Sequence, residues 1–355
     1  MSFLDHPQTI KRKNAYFAAL NSHRGFLSYF PSLFASYNKY IIKGGPGCGK
    51  STLMKKIAQT AEEKELDVTR YYCSSDTDSL DAVVIPSLKT VVLDGTPPHA
   101  TEPTCPGAVD SLVNLTAFWN PADLQIHAEE IQHLSQSISL SYRRVYLLMA
   151  AVYEIENAIA IATESVFDQK HAETIIHRFL EKHRIKEEKA PCVITQPASA
   201  FGVKGYVHLK SYETQAQTVI QVKDRVVYSE YFFKLLKGIL LQNKISFYES
   251  IRPVDEKTES IFLPQNAILF TRLVGKESCD GMINLDRMLP ERGKGALTSH
   301  KTLLREIDSL CLSAQTLLSE IGKQHDELES YYIAATDYQA LNQFSEEFIT
   351  ALFTA

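Results

Sequence analysis

Tyr40, Ile41 and Ile42 form a short unbroken apolar run, the pattern of a buried strand over 40–44. Leu53, Met54, Ile57, Ala58 and Ala61 then fall at helical spacing, which predicts a helix over 51–64. β-Branched and aromatic runs follow at 67–73, 82–86 and 89–95, separated by polar turns, so the first hundred residues read as parallel α/β. The rhythm lengthens at residue 120. Asn120 suits an N-cap, Pro121 the first helical position and Asp123 the first turn, and no Gly or Pro interrupts residues 122 to 186. Two long helices are expected there, with 188–200 as a domain boundary.

Past residue 200 the order repeats. "KGY" at 204–206 parallels "RGF" at 24–26, and a strand, a helix, further strands and a long helical block follow. At an offset of 178 residues (41 to 219), Ile41, Ile42, Val83, Val84, Ile85 and Pro86 meet Val219, Ile220, Ile261, Phe262, Leu263 and Pro264. The helical blocks match at 173 (175 to 348), where Ile175, Ile176, Phe179 and Leu180 meet Phe348, Ile349, Leu352 and Phe353. This predicts an internally duplicated α/β protein: residues 1–190 with a helical block at about 120–186, and residues 191–355 with one at about 297–353.

A chain of 355 residues exceeds one ordinary core, which agrees with two domains. Its net charge of -5 argues against a nucleic-acid partner, since such a footprint normally carries a basic excess. The most apolar stretch, 145–153, is half a membrane span and is followed by Glu154 and Glu156, so no membrane is expected. Six cysteines without a CxxC pair suit reduced thiols in a cytoplasmic protein better than zinc ligands.

The chemistry concentrates at 44–52. "GGPGCGKS" satisfies G-x-x-x-x-G-K-[ST] between the predicted strand and helix, the context that a phosphate-binding loop requires. Gly44, Gly45, Gly47, Cys48 and Gly49 would form the cradle, in which glycines let backbone N–H groups approach phosphate oxygens at a helix N-terminus. Lys50 would reach the β- and γ-phosphates, Ser51 would ligate Mg²⁺, and Thr52 would contact the α-phosphate region. Asp94 closes an apolar strand and supplies a second Mg²⁺ contact through water. Gly95 stands where many ATPases carry a catalytic Glu. His99, just beyond the metal acid, is a candidate to orient or deprotonate a nucleophile, and Ser74, Ser75, Asp76, Asp78 and Asp81 are candidate substrate contacts.

With "YIIKGGPGCGKSTLMKKI", the segment 71–99 and "PGAVDSLVNL" in hand, the chain resembles a family of bacterial tandem P-loop ATPase-like proteins, closely over 16–120 and more loosely beyond. The resemblance implies two P-loop α/β units with long helical additions, nucleotide binding in each half and no settled substrate. The second half departs from it. At the offset of 178, Gly44, Gly47, Gly49, Lys50 and Thr52 become Val222, Arg225, Val227, Tyr228 and Glu230, and Asp94 becomes Arg272. That half is expected to be a degenerate site that regulates the first as an internal pseudo-dimer, or that presents Arg225, Arg252 or Arg272 as an arginine finger.

The expected function is Mg·ATP binding with slow hydrolysis in the N-terminal half. Two alternatives remain open: phosphoryl transfer to a small molecule or nucleotide, and a nucleotide-gated switch with a protein partner.

Overall fold

The computed structural model describes residues 3–5, 7–164, 167–224, 228–273, 278–288 and 300–354. It is a mixed α/β fold. In the first half, strands β1 (Gln8–Thr9), β2 (Ala15–Phe17), β3 (Ala19–Ser22) and β4 (Gly25–Ser28) precede the short helix α1 (Phe30–Leu33) and strand β5 (Asn38–Lys43). Helix α2 (Lys50–Glu63) leads to β6 (Thr69–Tyr72), β7 (Leu80–Ile85), β8 (Thr90–Asp94) and β9 (Ser111–Asn114). Helices α3 (Pro121–Ile126), α4 (Ala128–Glu164) and α5 (Gln169–Lys182) follow, with Asn120 capping α3 as its sequence predicts. The second half carries β10 (Val193–Thr195), β11 (Ser199–Gly202), β12 (Gly205–His208), α6 (Ser211–Gln215), β13 (Thr218–Lys223), α7 (Tyr228–Gln242), β14 (Phe247–Ile251), β15 (Thr258–Leu263), β16 (Ile268–Thr271) and β17 (Gly281–Asn284). Helices α8 (Lys301–Ala334) and α9 (Tyr338–Thr354) end the chain. The predicted block at 297–353 thus begins in part outside the described residues.

Two six-stranded sheets dominate, ordered β2-β6-β7-β8-β5-β9 and β10-β14-β15-β16-β13-β17. Strand order and directions are the same in both. The purely parallel expectation needs correction, because β7 and β15 run antiparallel to both neighbours. The cause is chain length: residues 73–79 and 86–89 are too few for the crossover that a parallel neighbour needs, so each connection makes a hairpin.

The sheets stack face to face, and this explains their unbroken apolar runs. Ala82, Val84, Val91 and Leu93 of the first sheet share one core with Phe262 and Leu269 of the second. The alternate residues Val83, Ile85 and Val92 face α2, and Ile261, Leu263, Ile268 and Phe270 face α7. Side chains that point to opposite faces are therefore buried on both, as in any sheet covered on each side.

The helical additions pack differently from a partition at residue 190. Ile176 and Leu180 of α5 join the core of the second sheet, where Phe179 meets Phe270 at 4.9 Å between ring centroids. Leu341 and Leu352 of α9 join the core of the first sheet, where Phe348 meets Tyr40 at 5.5 Å. Each half's last helix covers the other half's sheet. Between them α4 and α8 run side by side in opposite directions, with His127 beside Tyr331 and Ser137 bonded to Gln324. The segment 128–162 of α4 is long and apolar enough to cross a membrane by length and composition alone, with 33% of its most apolar window buried. Its Val145, Met149, Val152 and Ile159 are core residues against the second sheet.

Candidate functional site

The strand–loop–helix context of the glycine-rich segment is as the spacing predicts: β5 ends at Lys43 and α2 starts at Lys50. Gly47 and Gly49 adopt φ of +65° and +84°, the left-handed region that an L side chain resists. Gly47 is also hemmed in, since a Cβ there would lie 2.9 Å from Ile333 Cγ1 and 3.0 Å from the Glu329 carbonyl oxygen. No side chain caps α2, so its first N–H groups keep their capacity to meet an anion.

Asp94 stands in β8 directly opposite Ile42 of β5 and therefore beside the loop. Its Oδ1 accepts from Thr96 N at 2.9 Å and Thr96 Oγ1 at 2.5 Å, which orients the carboxyl, and its Oδ2 lies 3.6 Å from Lys50 Nζ. Lys50 folds back on the loop and donates to the carbonyl oxygens of Gly44 (3.1 Å) and Gly45 (2.7 Å). Ser51 Oγ accepts from Leu80 N at 3.0 Å, and Thr52 is exposed on the first turn of α2. Cys48 is buried, and burial pushes its thiol up from its ordinary value. The oxygens of Ser51 and Asp94 are the hard donors that Mg²⁺ prefers, with room for waters in its octahedron.

The C-terminal helices reach this loop. Glu329 of α8 accepts from the backbone N–H of Gly47 at 3.3 Å, and Tyr338 of α9 donates to the Gly47 carbonyl at 3.0 Å. Trp119 packs over Gly45 and against Tyr332 at 5.0 Å, with its indole N–H buried and without a hydrogen-bond partner. Sequence reasoning missed all three residues. A glutamate on a long polar helix has no local mark, and only the exchanged packing of the terminal helices brings Glu329 to the loop.

Of the other candidates, His99 is buried, stacked on Phe30 at 5.1 Å between centroids, with Nε2 at 3.3 Å from Asp81 Oδ2. Burial, opposed by His99, pushes Asp81 up to about 6. The loop before Asp81 is held by contacts of its own. Ser75 accepts from the Tyr142 hydroxyl, Asp76 ties the turn to Asp78 N and Ser79, and Asp78 pairs with Lys204. Ser74 is buried, with its backbone oxygen against Gly202.

The second half matches the first with a corrected register. The ladder pairs Asn38 with Thr90 and Thr218 with Ile268, so Asn38 corresponds to Thr218, two residues beyond the offset read from sequence. In the first half six residues (44–49) separate strand from helix; in the second the strand ends at Lys223 and the described helix resumes at Tyr228. Between these, Arg225 and Val227 lie outside the described residues. Asp224 accepts from Ser229 N in the first described turn of the following helix at 2.7 Å, a carboxylate where a phosphate loop would receive its ligand.

Arg252 is no finger. It is 4% exposed and makes ion pairs with Asp255 and with Glu156 of α4, while Lys257 Nζ lies 3.1 Å from Glu156 and 3.3 Å from Glu230. Burial, opposed by Arg252, pushes Glu156 up to about 7, while Arg252 overcomes the same burial to hold Asp255 well below the carboxylate range. Arg272 follows β16, and its backbone N–H donates to Glu259 O at 3.2 Å. At the 173-residue offset of the helical blocks, Glu156 corresponds to Glu329 (156 to 329). Each half thus receives a glutamate from a long helix.

The comparisons with known proteins cover part of this region. No curated protein and no solved structure matches the chain. The family described as Nephrocystin 3, N-terminal matches residues 34–177, and over that stretch, which takes in the glycine-rich loop, Asp94 and helix α4, the chain is similar to that family.

Proposed function

We propose that this chain is a Mg·ATP-binding P-loop NTPase with one working site, in its N-terminal half, and a C-terminal half that has lost its site and regulates the first. The observation that carries this is the convergence of an open helix N-terminus, two left-handed glycines, Lys50 and Asp94 at one sheet edge. Lys50 would turn from the loop carbonyls to the phosphates. Ser51 and Asp94 would hold Mg²⁺, which neutralises phosphate charge when bound. The shared strand order of the two sheets supports an origin by duplication, and the family resembled at 16–120 would fit it. Six cysteines with no disulfide among the described residues suit a reducing compartment such as the cytoplasm.

The regulatory part rests on Glu329. Its carboxylate holds the Gly47 N–H that a triphosphate would take, so nucleotide must displace it, and α8 and α9 become a nucleotide-sensitive cover. This favours a gated switch with slow turnover over phosphoryl transfer with the acceptor near the 74–81 loop or His99, since Ser75, Asp76 and Asp78 of that loop are committed to structural contacts.

Glu329→Gln tests the gate. Removing a charged competitor worth about 1.4 kcal/mol should tighten Mg·ATP binding roughly tenfold, measured by titration calorimetry. Unchanged affinity together with lost turnover would instead make Glu329 a residue that positions the attacking water.

A further inference from the structure

Cys73, Asp81 and His99 converge at the edge of the first sheet. Each offers one donor atom, and a thiol sulfur, a carboxylate oxygen and a ring nitrogen all lie within 4.8 Å of one another. Three separate elements deliver them: Cys73 follows β6, Asp81 belongs to β7, and His99 lies in the loop after β8. Asp81 is placed by a β-bulge, since Tyr71 pairs with Ala82 and Tyr72 with Leu80, leaving Asp81 as the extra residue.

Asp81 and His99 are buried, and each keeps an atom without a hydrogen-bond partner. Asp81 is 3% exposed and its Oδ2 has no hydrogen-bond partner, a costly state for a carboxylate. His99 Nε2 is 3.3 Å away but out of line for a hydrogen bond, and His99 Nδ1 is buried without a partner as well. Phe30 stacks on the imidazole and Phe26 meets it edge-on, which fixes the ring plane.

The second sheet provides an internal comparison. Its β14–β15 pair has the same bulge, with Glu259 as the extra residue and buried like Asp81. Glu259, however, accepts from Ser199 Oγ at 2.6 Å, from Ser250 Oγ at 3.4 Å and from the Tyr206 hydroxyl. One bulged acid is closed off by hydroxyls. The other faces a thiol and an imidazole.

We propose that Cys73 Sγ, one Asp81 oxygen and His99 Nε2 bind a Zn²⁺-class ion, with a fourth position open to water or to a substrate oxygen. The mixed S/N/O set favours zinc over Mg²⁺, which takes oxygens. Bond lengths of about 2.0–2.3 Å put tetrahedral ligands roughly 3.3–3.6 Å apart, so the Asp81–His99 separation already fits and the sulfur closes the remainder. Binding converts the Cys73 thiol to a thiolate and releases its proton to solvent. None of its ligands belongs to the loop at 44–52, although Asp81 feels the charges of Asp94 and Lys50 and neighbours Leu80, whose N–H is bonded to Ser51.

The test uses the full chain, stripped of metal and titrated with Co²⁺ and then Zn²⁺. One Co²⁺ per chain should bind with a thiolate-to-cobalt charge-transfer band, and Zn²⁺ should displace it. Cys73→Ser should abolish the band, and Asp81→Asn should weaken Co²⁺ binding at least tenfold. An unchanged thermal transition in Cys73→Ser would show that its fold is intact. Absence of stoichiometric Co²⁺ binding, or a thiolate band that survives Cys73→Ser, would overturn the proposal.

Discussion

Lys50→Ala should cost Mg·ATP affinity about 100-fold or more, close to 3 kcal/mol, because the ammonium supplies charge-assisted hydrogen bonds that no neighbour replaces. Its folded-state contacts are the carbonyl oxygens of Gly44 and Gly45 and the nearby Asp94 carboxylate, and α2 begins at this residue. The loop geometry rests on Gly47 and Gly49, so the variant should keep its thermal transition and lose only the ligand. Equilibrium dialysis with labelled ATP, beside a melting curve for each protein, checks both halves of that expectation. Retained affinity would place the nucleotide elsewhere.

Arg252→Ala should destabilise the fold by roughly 3–5 kcal/mol in denaturant titrations, the range for breaking a buried ion pair from one side. Asp255 is 2% exposed and Glu156 5%, so each would stay in the interior with Lys257 as the remaining cationic partner among the described residues. Burial already lifts Glu156 to about 7, and without the guanidinium it would be protonated at neutral pH. Replacing the set together, as Arg252→Met with Glu156→Leu and Asp255→Leu, should cost far less than the single change, since no uncompensated charge then remains. A loss under about 1 kcal/mol for Arg252→Ala would mean that the cluster is solvated, on the exposed-pair scale, and that the second half keeps an open basic pocket. That result would contradict a closed site.

The two sites differ in how firmly the incoming glutamate is held. Glu156 is locked between Arg252 and Lys257, whereas Glu329 has 35% of its side chain exposed and meets a single backbone N–H and His325. On the proposed reading, a locked carboxylate would keep the second half closed, and a loosely held one in the first half would yield to a stronger anion. Exchange of α5 and α9 between the sheets gives that displacement a lever, because the helix that covers one half is anchored through the chain of the other.

Much of the local structure was legible because local rules decide it. The glycines, Lys50 and Ser51 mark a loop whose neighbours on both sides carry the right periodicity, and Asn120 and Pro121 start a helix wherever they precede an apolar stripe. Asp94 was legible as the polar end of an apolar run. Strand direction was not, since Val83, Val84 and Ile85 look alike in a parallel or an antiparallel strand, although the short connections at 73–79 and 86–89 contained the answer. Nor could an amphipathic stripe such as Ile175, Ile176 and Phe179 say which sheet it covers. The register error of two residues at β13 arose because apolar matching tolerates a slip that the backbone ladder does not. Arg252 misled for a related reason: an arginine after a strand reads the same whether it faces a phosphate or two buried carboxylates. Cys73, Asp81 and His99 carry no spacing motif, because a bulge and a loop bring them together in space alone.

A single working site is tested most directly by calorimetric titration of the intact protein with Mg·ATP. One site per chain, absent in Lys50→Ala, is the predicted result. Two sites per chain, or one that persists without Lys50, would contradict it and return the second half to the list of nucleotide binders.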